Sequence, residues 1–382
     1  MIPYGRQDIR QDDIDAVVEV LRSDYLTQGP AVGCFEAAVA QAVGAPHAVA
    51  MNSATSALHV ACLALDLGPG DMLWTSPVTF VASANCARYC GADVDFVDID
   101  PKTGNLCPER LAAKLRSAEK AGRLPKVIVP VHLAGLSCDM EAIGKLAADH
   151  GIRVIEDASH AIGGRYHAKA VGACVHSDIA VLSFHPVKIV TTAEGGVATT
   201  NDSGLARRME RLRSHGITRE ASEMTHAPDG AWYYQQLELG WNYRMSDIHA
   251  ALGATQMRRL AEYVDRRNAL ADRYDRLLAG FPVTRPGRSE DVLSSFHLYV
   301  IRVDAARHRA VFDGLRSRGI GVNLHYIPVH LQPYYRALGF APGDFPEAER
   351  YYAEAISLPL FPLMTEEMQD EVIVALEAEL GT

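Results

Sequence analysis

The sequence predicts an α/β fold built on a mostly parallel sheet. Short apolar strands alternate with amphipathic helices over the first two hundred residues, the order that gives parallel strands with helices on both faces. The length of 382 residues suits about two domains. We expect a large α/β/α domain over residues 1–250 and a smaller α+β domain over residues 251–382.

Charge and composition exclude several classes of protein. The net charge of −10 argues against a nucleic-acid binder, which usually carries a basic stripe. The opening residues, MIPYGRQDIRQDD, contain no apolar run, so we predict neither a signal peptide nor a membrane span. Seven cysteines without a CxxC pair predict no metal site and a reduced, cytoplasmic protein.

Apolar periodicity predicts the elements in order. Strands are expected at residues 47–51, 71–76, 92–97, 126–132, 153–157, 180–184 and 197–200. Helices are expected at residues 11–22, 57–65, from 77–83 onward, 108–121, 140–150, 203–214 and 247–278. The remainder has strand-like stretches at 296–303 and 321–326, flanked by helical patterns at 304–318, 346–356 and 365–380.

Two of these strands end in chemically useful residues. Asp157 closes the strand in VIEDASHA, and Ser183 closes the strand in IAVLSFHPVK, which continues to Lys188. The carboxyl ends of parallel strands open onto one crevice, where ligands bind. We therefore expect an acid, a hydroxyl and an amine together, although a lysine in a loop is more often ordinary surface charge.

Lysine is rare in this chain, since only seven of the 37 basic residues are lysine. Arginine serves as ordinary surface charge, yet Lys188 stands between apolar stretches. A primary amine can bond covalently to a carbonyl group, whereas a guanidinium does not act in this way. Its position before Glu194-Gly195-Gly196 favours a chemical role.

A second candidate feature follows the strand at 47–51. The residues Asn52 to Ser56 are small or polar and lead directly into a helix. Free backbone N–H groups and hydroxyls at a helix start can hold a phosphate. A simple N-cap with no ligand explains the same residues and is commoner.

These motifs together resemble the DegT/DnrJ/EryC1/StrS family of sugar aminotransferases, pyridoxal-phosphate (PLP) enzymes of fold type I, the aspartate aminotransferase-like fold. The resemblance rests on EDASHA at 156–161, SFHPVK at 183–188 and EGG at 194–196, with NYRM at 242–245 in support. SFHPVK followed by TTAEGG is most similar to the branch that aminates UDP-linked 4-keto-6-deoxy-N-acetylhexosamines, the PseC-like enzymes of pseudaminic acid biosynthesis. Family members commonly carry glycine where this chain has Ala54.

The resemblance implies a role for each matching position. Lys188 would be the catalytic lysine that bonds to PLP, and Asp157 would keep the cofactor's ring nitrogen protonated. His160 would hydrogen-bond the ring's phenolic oxygen or stack on the ring, and Phe80 would lie against its face, although a core phenylalanine is an equal alternative. The remaining cofactor-binding residues would hold the phosphate: Ala54, Thr55, Ser183 and Asn242, the last from the partner subunit of a homodimer.

The substrate-side residues rest mainly on the same resemblance. They are Tyr4, Leu26, Thr27, Gln28, Gly29, His185, His325 and Tyr326. The implied reaction transfers an amino group from L-glutamate to C4 of a nucleotide-linked sugar, UDP-2-acetamido-2,6-dideoxy-β-L-arabino-hexos-4-ulose or another NDP-4-keto or 3-keto sugar. Such a two-stage transfer has ping-pong kinetics.

Three alternatives stay open at this point. Related 3-dehydratases keep the cofactor but carry histidine at the lysine position, so Lys188 favours transamination. A catalytically inactive sensor with the same fold would usually add a basic DNA-binding domain, and none is visible. An oxidoreductase of the Rossmann type shares the alternation of elements, but no G-x-G-x-x-G follows the first strand.

Overall fold

The computed structural model describes residues 1–381; Thr382, the last residue of the predicted second domain, lies outside them. Thirteen α-helices occur in this part of the chain: α1 Gln11–Arg22, α2 Pro30–Val43, α3 Ala54–Ala64, α4 Ala82–Tyr89, α5 Pro108–Lys120, α6 Met140–Asp149, α7 Ser203–Leu212, α8 Asp247–Met257, α9 Leu260–Leu277, α10 His308–Ser317, α11 Pro333–Arg336, α12 Pro346–Glu354 and α13 Glu366–Leu380.

The strands are short, as strands that alternate with helices usually are. In chain order they are β1 His47–Met51, β2 Met72–Thr75, β3 Asp93–Phe96, β4 Val127–Val129, β5 Arg153–Asp157, β6 Arg165–Tyr166, β7 Lys169–Ala170, β8 Ile179–Ser183, β9 Gly196–Thr200, β10 Ile217–Thr218, β11 Gln235–Gln236, β12 Val292–Leu293, β13 Tyr299–Arg302 and β14 Ala355–Leu358.

Seven strands form the main sheet, in the order β1-β9-β8-β5-β4-β2-β3. The pairs from β8 across to β3 are all parallel. Only β9 runs against its neighbours, because it pairs antiparallel with both β8 and β1. The predicted α/β fold with a mostly parallel sheet is therefore confirmed, and its arrangement is that of fold type I.

The centre of this sheet positions the site. Asp157 ends β5, and its backbone N–H donates to the Pro130 carbonyl beyond the end of β4. On the other side, β8 ends at Ser183, which lies opposite Gly196 in the antiparallel register with β9. Asp157 and Ser183 thus reach the same edge of the sheet on neighbouring strands, as the sequence predicts.

A smaller unit packs around the antiparallel pair β13 and β14. Its apolar cluster draws on buried residues between Leu270 and Leu380, together with Ile2 from the other end of the sequence. Ile2 forms a parallel bridge with Ile320. The division after residue 250 stays a prediction, and the cluster that includes Ile2 is the observation that bears on it.

Several predicted elements are wrong in detail. The helix expected over 247–278 is two helices, separated at Arg259, whose guanidinium turns to the carboxylates of Asp12 and Asp13 on α1. The strand expected at 321–326 is a single bridge between Asn323 and Ser357. The partner strand of β13 is instead β14, which begins within the helical pattern at 346–356. Helix α2 was not predicted.

None of the helices within residues 1–381 combines the length and apolarity needed to cross a membrane.

Candidate functional site

A cavity of about 460 Å³ opens at the carboxyl edge of the main sheet. Its size falls within the range of small-molecule sites. It brings together eleven of the residues predicted to bind cofactor or substrate: Tyr4, Ala54, Thr55, Phe80, Asp157, His160, Ser183, His185, Lys188, His325 and Tyr326. Tyr4 and Tyr326, which are 322 positions apart in the sequence, therefore line the same pocket.

Asp157 forms the buried acidic wall of this cavity. Its side chain is only 5 % exposed. The Ser83 hydroxyl donates to Oδ2 at 2.5 Å, and the backbone N–H of Ser159 donates to Oδ1 at 3.1 Å. Both contacts orient the side chain, and a carboxylate in this position can pair with a cation bound in the cavity.

Lys188 provides the amine. It is only partly accessible to solvent, and the loss of water around its ammonium lowers its pKa to about 7, while the negative charge of Asp157 acts in the opposite direction. Much of the lysine is therefore uncharged near neutral pH. An uncharged amine is the form that attacks a carbonyl carbon.

The start of α3 forms the third wall. Ser53 caps the helix by accepting from the backbone N–H of Ser56, while Ala54 and Thr55 form its first turn facing the cavity. Strand β9 passes directly beneath, because a Cβ on Gly196 would lie 2.3 Å from the Ala54 nitrogen. Glycine is thus required at 196 to let a strand and a helix start approach so closely.

His160 has a hydrogen-bond partner at each of its two ring nitrogens. The backbone N–H of Ala134 donates to its Nδ1 at 3.2 Å, so Nε2 carries the ring proton and donates to the Tyr326 hydroxyl at 3.1 Å. The two rings are nearly parallel, with an angle of 27° between them. Burial lowers the pKa of His160, helped by the positive charge of Lys188, so the ring is neutral.

The opposite wall consists of polar side chains from the smaller unit. Burial raises the pKa of Tyr326 and lowers the pKa of His325 to about 4, with Lys188 adding to the latter effect. The His325 Nδ1 pairs with the Ser357 hydroxyl at 2.8 Å. The Tyr4 ring lies 5.5 Å from the His325 ring. These groups remain uncharged at neutral pH and offer hydrogen bonds without net charge.

Phe80 and His185 lie at the mouth of the cavity. Phe80 is 57 % exposed, and its ring centroid is 6.2 Å from that of Tyr326. His185 is also exposed.

Five predicted residues do not line the cavity of this chain. The loop from Leu26 to Gly29 is fastened to the start of α8, where Asp247 Oδ2 accepts from the Gly29 N–H at 2.8 Å and its own N–H donates to the Leu26 carbonyl. Thr27 and Gln28 belong to the same loop, and Thr27 bridges Ser246. Asn242 bridges Ser214. Their predicted roles stay predictions, since a second subunit is needed to test them.

The structure also adds residues that the sequence did not single out. Ser83, His297 and Asn323 contact the predicted site or line its cavity. Ser83 lies in the segment 77–83 where a helix was predicted to begin, but its contact with Asp157 joins residues 74 positions apart in the sequence, which a local pattern does not reveal. His297 stands in a predicted strand, and no local pattern distinguishes a cavity histidine from a core histidine.

Pyridoxal phosphate fits these residues. Asp157 can pair with a protonated ring nitrogen, and Lys188 has the amine that the cofactor's aldehyde requires. The first turn of α3 and the Ser183 hydroxyl can take the phosphate, since a helix of eleven residues directs its first N–H groups at an anion.

Comparisons with known proteins agree with this fit. The profile of the DegT/DnrJ/EryC1/StrS aminotransferase family matches residues 7–377. The spore coat polysaccharide biosynthesis protein SpsC of Bacillus subtilis is 39 % identical over 98 % of this chain and 96 % of its own.

Two solved structures are also similar. The putative sugar aminotransferase Spr1654 of Streptococcus pneumoniae, in its PMP-form, superposes with a TM-score of 0.92 at 30 % identity, covering 100 % of this chain and 99 % of its own; a PLP-form of it is known as well. Helicobacter pylori PseC, an aminotransferase involved in the biosynthesis of pseudaminic acid, superposes with a TM-score of 0.89 at 32 % identity, covering 100 % and 99 %. This chain belongs to the PLP-dependent DegT/DnrJ/EryC1/StrS aminotransferase family.

Proposed function

We propose that the protein transfers an amino group from L-glutamate to C4 of a nucleotide-linked 4-keto-6-deoxy sugar, UDP-2-acetamido-2,6-dideoxy-β-L-arabino-hexos-4-ulose. The observation that carries the proposal is Lys188, an amine with a pKa of about 7, in the same cavity as the buried carboxylate of Asp157. This pair suits cofactor-dependent amino transfer, and the neutral polar wall opposite suits a sugar.

Three parts of the chain would hold the cofactor. Asp157 would pair with its ring nitrogen, kept in place by the hydrogen bond from Ser83. The first turn of α3 at Ala54 and Thr55, with Ser183, would take the phosphate. Both nitrogens of His160 already have partners, which favours stacking on the cofactor ring over a hydrogen bond to its phenolic oxygen.

Bound PLP supplies an electron sink for the charge left when an amino-bearing carbon loses its proton. Lys188 would hold the cofactor before the donor arrives and would then carry that proton on Nζ. Its lowered pKa suits both tasks, because the amine must be uncharged to accept a proton and acidic enough to release it. Asp157 would keep its orientation throughout, since both of its oxygens accept hydrogen bonds.

The sugar would be recognised by the residues on the far side of the cavity. Tyr4, His325 and Tyr326 offer hydroxyl and imidazole groups that are uncharged at neutral pH. Sugar hydroxyls and an acetamido group pair well with such groups, which need not be desolvated as ions. His185, which is exposed and lines the cavity, would contact the sugar or help set specificity for it.

The proposed site is completed by a second copy of the chain. Asn242 and the loop from Leu26 to Gly29 lie outside the cavity of their own subunit: Asn242 pairs with Ser214 just after α7, and the loop is anchored at the start of α8. We infer that they reach the cavity of a partner in a homodimer, where Asn242 would contact the phosphate and the loop would contact the sugar. The cytoplasmic location foreseen from the sequence stays a prediction.

The test separates the two half-reactions. Purified protein loaded with PLP is mixed with L-glutamate, and the visible absorbance of the lysine-bound cofactor should disappear as 2-oxoglutarate forms. The UDP-4-keto sugar is then added, and the amino sugar should appear by mass spectrometry while the visible absorbance returns. Lys188→Ala should abolish both steps. Glutamate conversion by this variant at the unchanged rate would contradict the proposal.

A second acceptor deserves the same assay, because the greater identity is to SpsC, which is 39 % identical against 32 % for PseC. SpsC is described as a protein of spore coat polysaccharide biosynthesis. A different NDP-4-keto or 3-keto sugar is therefore the alternative, and dTDP-4-keto-6-deoxyglucose is its first probe. If the enzyme prefers this probe to the UDP sugar, the acceptor is assigned to the dTDP-linked class instead.

A further inference from the structure

His297 lines the cavity with one of its two ring nitrogens unpaired. Its side chain is 4 % exposed and lines the pocket, and its ring centroid is 4.4 Å from that of His160. The Nδ1 atom is buried without any hydrogen-bond partner among residues 1–381. Buried polar atoms are usually paired; within residues 1–381, His59 and His330 also each have one buried, unpaired ring nitrogen, but of the three only His297 lines the cavity.

The neighbouring backbone forces this placement. Phe296 has a φ of 45°, a left-handed conformation that bulky residues rarely adopt. The buried guanidinium of Arg267 donates to the carbonyls of both Phe296 and His297, at 3.1 and 3.3 Å. A Cβ on Gly135 would lie 2.9 Å from the Phe296 nitrogen. Arg267 and Gly135 thus both contact this segment closely, and His297 lines the cavity.

The protonation of His297 follows from its surroundings. Burial and the positive charge of Lys188 lower its pKa well below the ordinary value, so the ring is neutral at pH 7. A neutral imidazole has one N–H, and an N–H enclosed without a partner is especially costly. The proton therefore sits on Nε2, the nitrogen not enclosed by protein, and Nε2–H is a donor available to the cavity.

We propose that His297 is a substrate-binding residue whose Nε2–H donates a hydrogen bond to an oxygen of the keto sugar. This inference rests on the proposed function. The charged groups lining the cavity within residues 1–381 are Asp157, Glu194 and Lys188, with no arginine among them. A carboxylate such as that of glutamate is best held by a cation, so a neutral donor such as His297 fits a hydroxyl or carbonyl oxygen.

Two variants of similar shape test the assignment. Glutamine and methionine have side chains of about equal length, but only glutamine has an N–H. A hydrogen bond of this kind contributes up to about tenfold in affinity. We expect His297→Met to raise KM for the UDP-4-keto sugar about tenfold over His297→Gln, with both variants reacting with L-glutamate at similar rates. The glutamate half-reaction reports whether the cofactor site is intact.

Each outcome decides the matter. A higher KM for Met than for Gln, at equal glutamate rates, supports the assignment. Equal KM values, or equal loss of the cofactor from both variants, would overturn it and leave His297 as a packing residue beside His160. If wild-type protein reacts with glutamate but not with the UDP sugar, the proposed acceptor is wrong, and the comparison is made on dTDP-4-keto-6-deoxyglucose, where the same difference is required.

Discussion

The hydroxyl of Ser83 donates a hydrogen bond of 2.5 Å to Oδ2 of Asp157, joining α4 to the end of β5. The terminal torsion of an aspartate is broad, and here Ser83 holds Oδ2 while the Ser159 N–H holds Oδ1. Ser83 is fully buried and also contacts the Thr79 hydroxyl at 2.7 Å. The orientation of the acid that would face the cofactor is therefore set from a different part of the fold.

Replacing Ser83 by alanine should weaken cofactor binding. The change leaves Asp157 Oδ2 without its donor, and we expect Kd for PLP to rise about tenfold, as the loss of a hydrogen bond to a charged group implies. Fluorescence titration of the apo protein measures this. Ser117→Ala, the same change on the exposed face of α5, is the control. An unchanged Kd in Ser83→Ala would show that Asp157 is oriented by its other contacts.

The lowered pKa of Lys188 predicts a pH dependence for cofactor attachment. Only the uncharged amine reacts with an aldehyde, so the attachment rate to apo protein should rise with pH and level off above a midpoint near the pKa of about 7. An ordinary lysine would continue to gain up to about pH 10. Stopped-flow absorbance over that range distinguishes the two, and a rate still climbing tenfold per pH unit above about pH 8 would refute the shift.

Gly196 should not tolerate any side chain. Its Cβ would lie 2.3 Å from the Ala54 nitrogen and 2.4 Å from the Ser53 carbonyl carbon, and backbone atoms cannot move aside cheaply. We expect Gly196→Ala to lower the free energy of unfolding by about 3 kcal/mol and to impair PLP binding.

Gly33→Ala is the matched control for that change, because Gly33 lies in the exposed face of α2 with nothing within 4 Å of its Cβ position. It should stabilise the helix by up to about 1 kcal/mol. Urea denaturation of both apo variants measures the two free energies. Similar values for both would mean that β9 can move away from the start of α3.

Removing the Tyr326 hydroxyl should affect turnover more than cofactor binding. His160 Nε2–H loses its acceptor at 3.1 Å in Tyr326→Phe, and the far wall loses one polar group. We expect kcat/KM for the sugar to fall about tenfold, with PLP retained. Tyr334→Phe, at a residue 54 % exposed and outside the cavity, should leave it unchanged. Loss of PLP from Tyr326→Phe would instead assign the hydroxyl to cofactor binding.

Shared active sites predict complementation between inactive chains. If Asn242 serves the partner's cavity, a dimer of one Lys188→Ala chain and one Asn242→Ala chain contains one intact site. Random pairing of equal amounts should recover about a quarter of wild-type activity, although each variant alone is impaired. To check this, the two variants are unfolded, mixed in equal amounts, refolded together and assayed. Activity no greater than the average of the separate variants would place Asn242 in its own subunit's chemistry or in none.

The sequence predicted those site residues whose position follows from a strand end or a helix start. Asp157 ends β5 and Ser183 ends β8, so strand periodicity alone brings them to one edge. Lys188 follows from the same strand, because five residues of loop are too few to carry it elsewhere. Ala54 and Thr55 follow from the helix that begins with them.

The residues that escaped prediction depend on contacts between distant segments. Ser83 meets Asp157 across 74 residues, and His297 meets His160 through a turn at Phe296 that no propensity favours. The stretch 321–326 alternates like a strand, but β14 occupies the place beside β13. Local patterns report the period of a segment, and the choice of neighbour is made by the whole fold.

The burial of Ile2 also constrains the order in which the two parts of the protein can fold. Ile2 packs in the cluster that includes Val372 and Leu380, so it finds its neighbours only after residues far along the chain have been made. The main sheet can assemble earlier, since its strands end at Thr200. The smaller unit, which supplies His297, His325 and Tyr326 to the cavity, must therefore fold late. A growing chain can form the sheet side of the site, with Asp157 and Ser183, well before these three residues are in place.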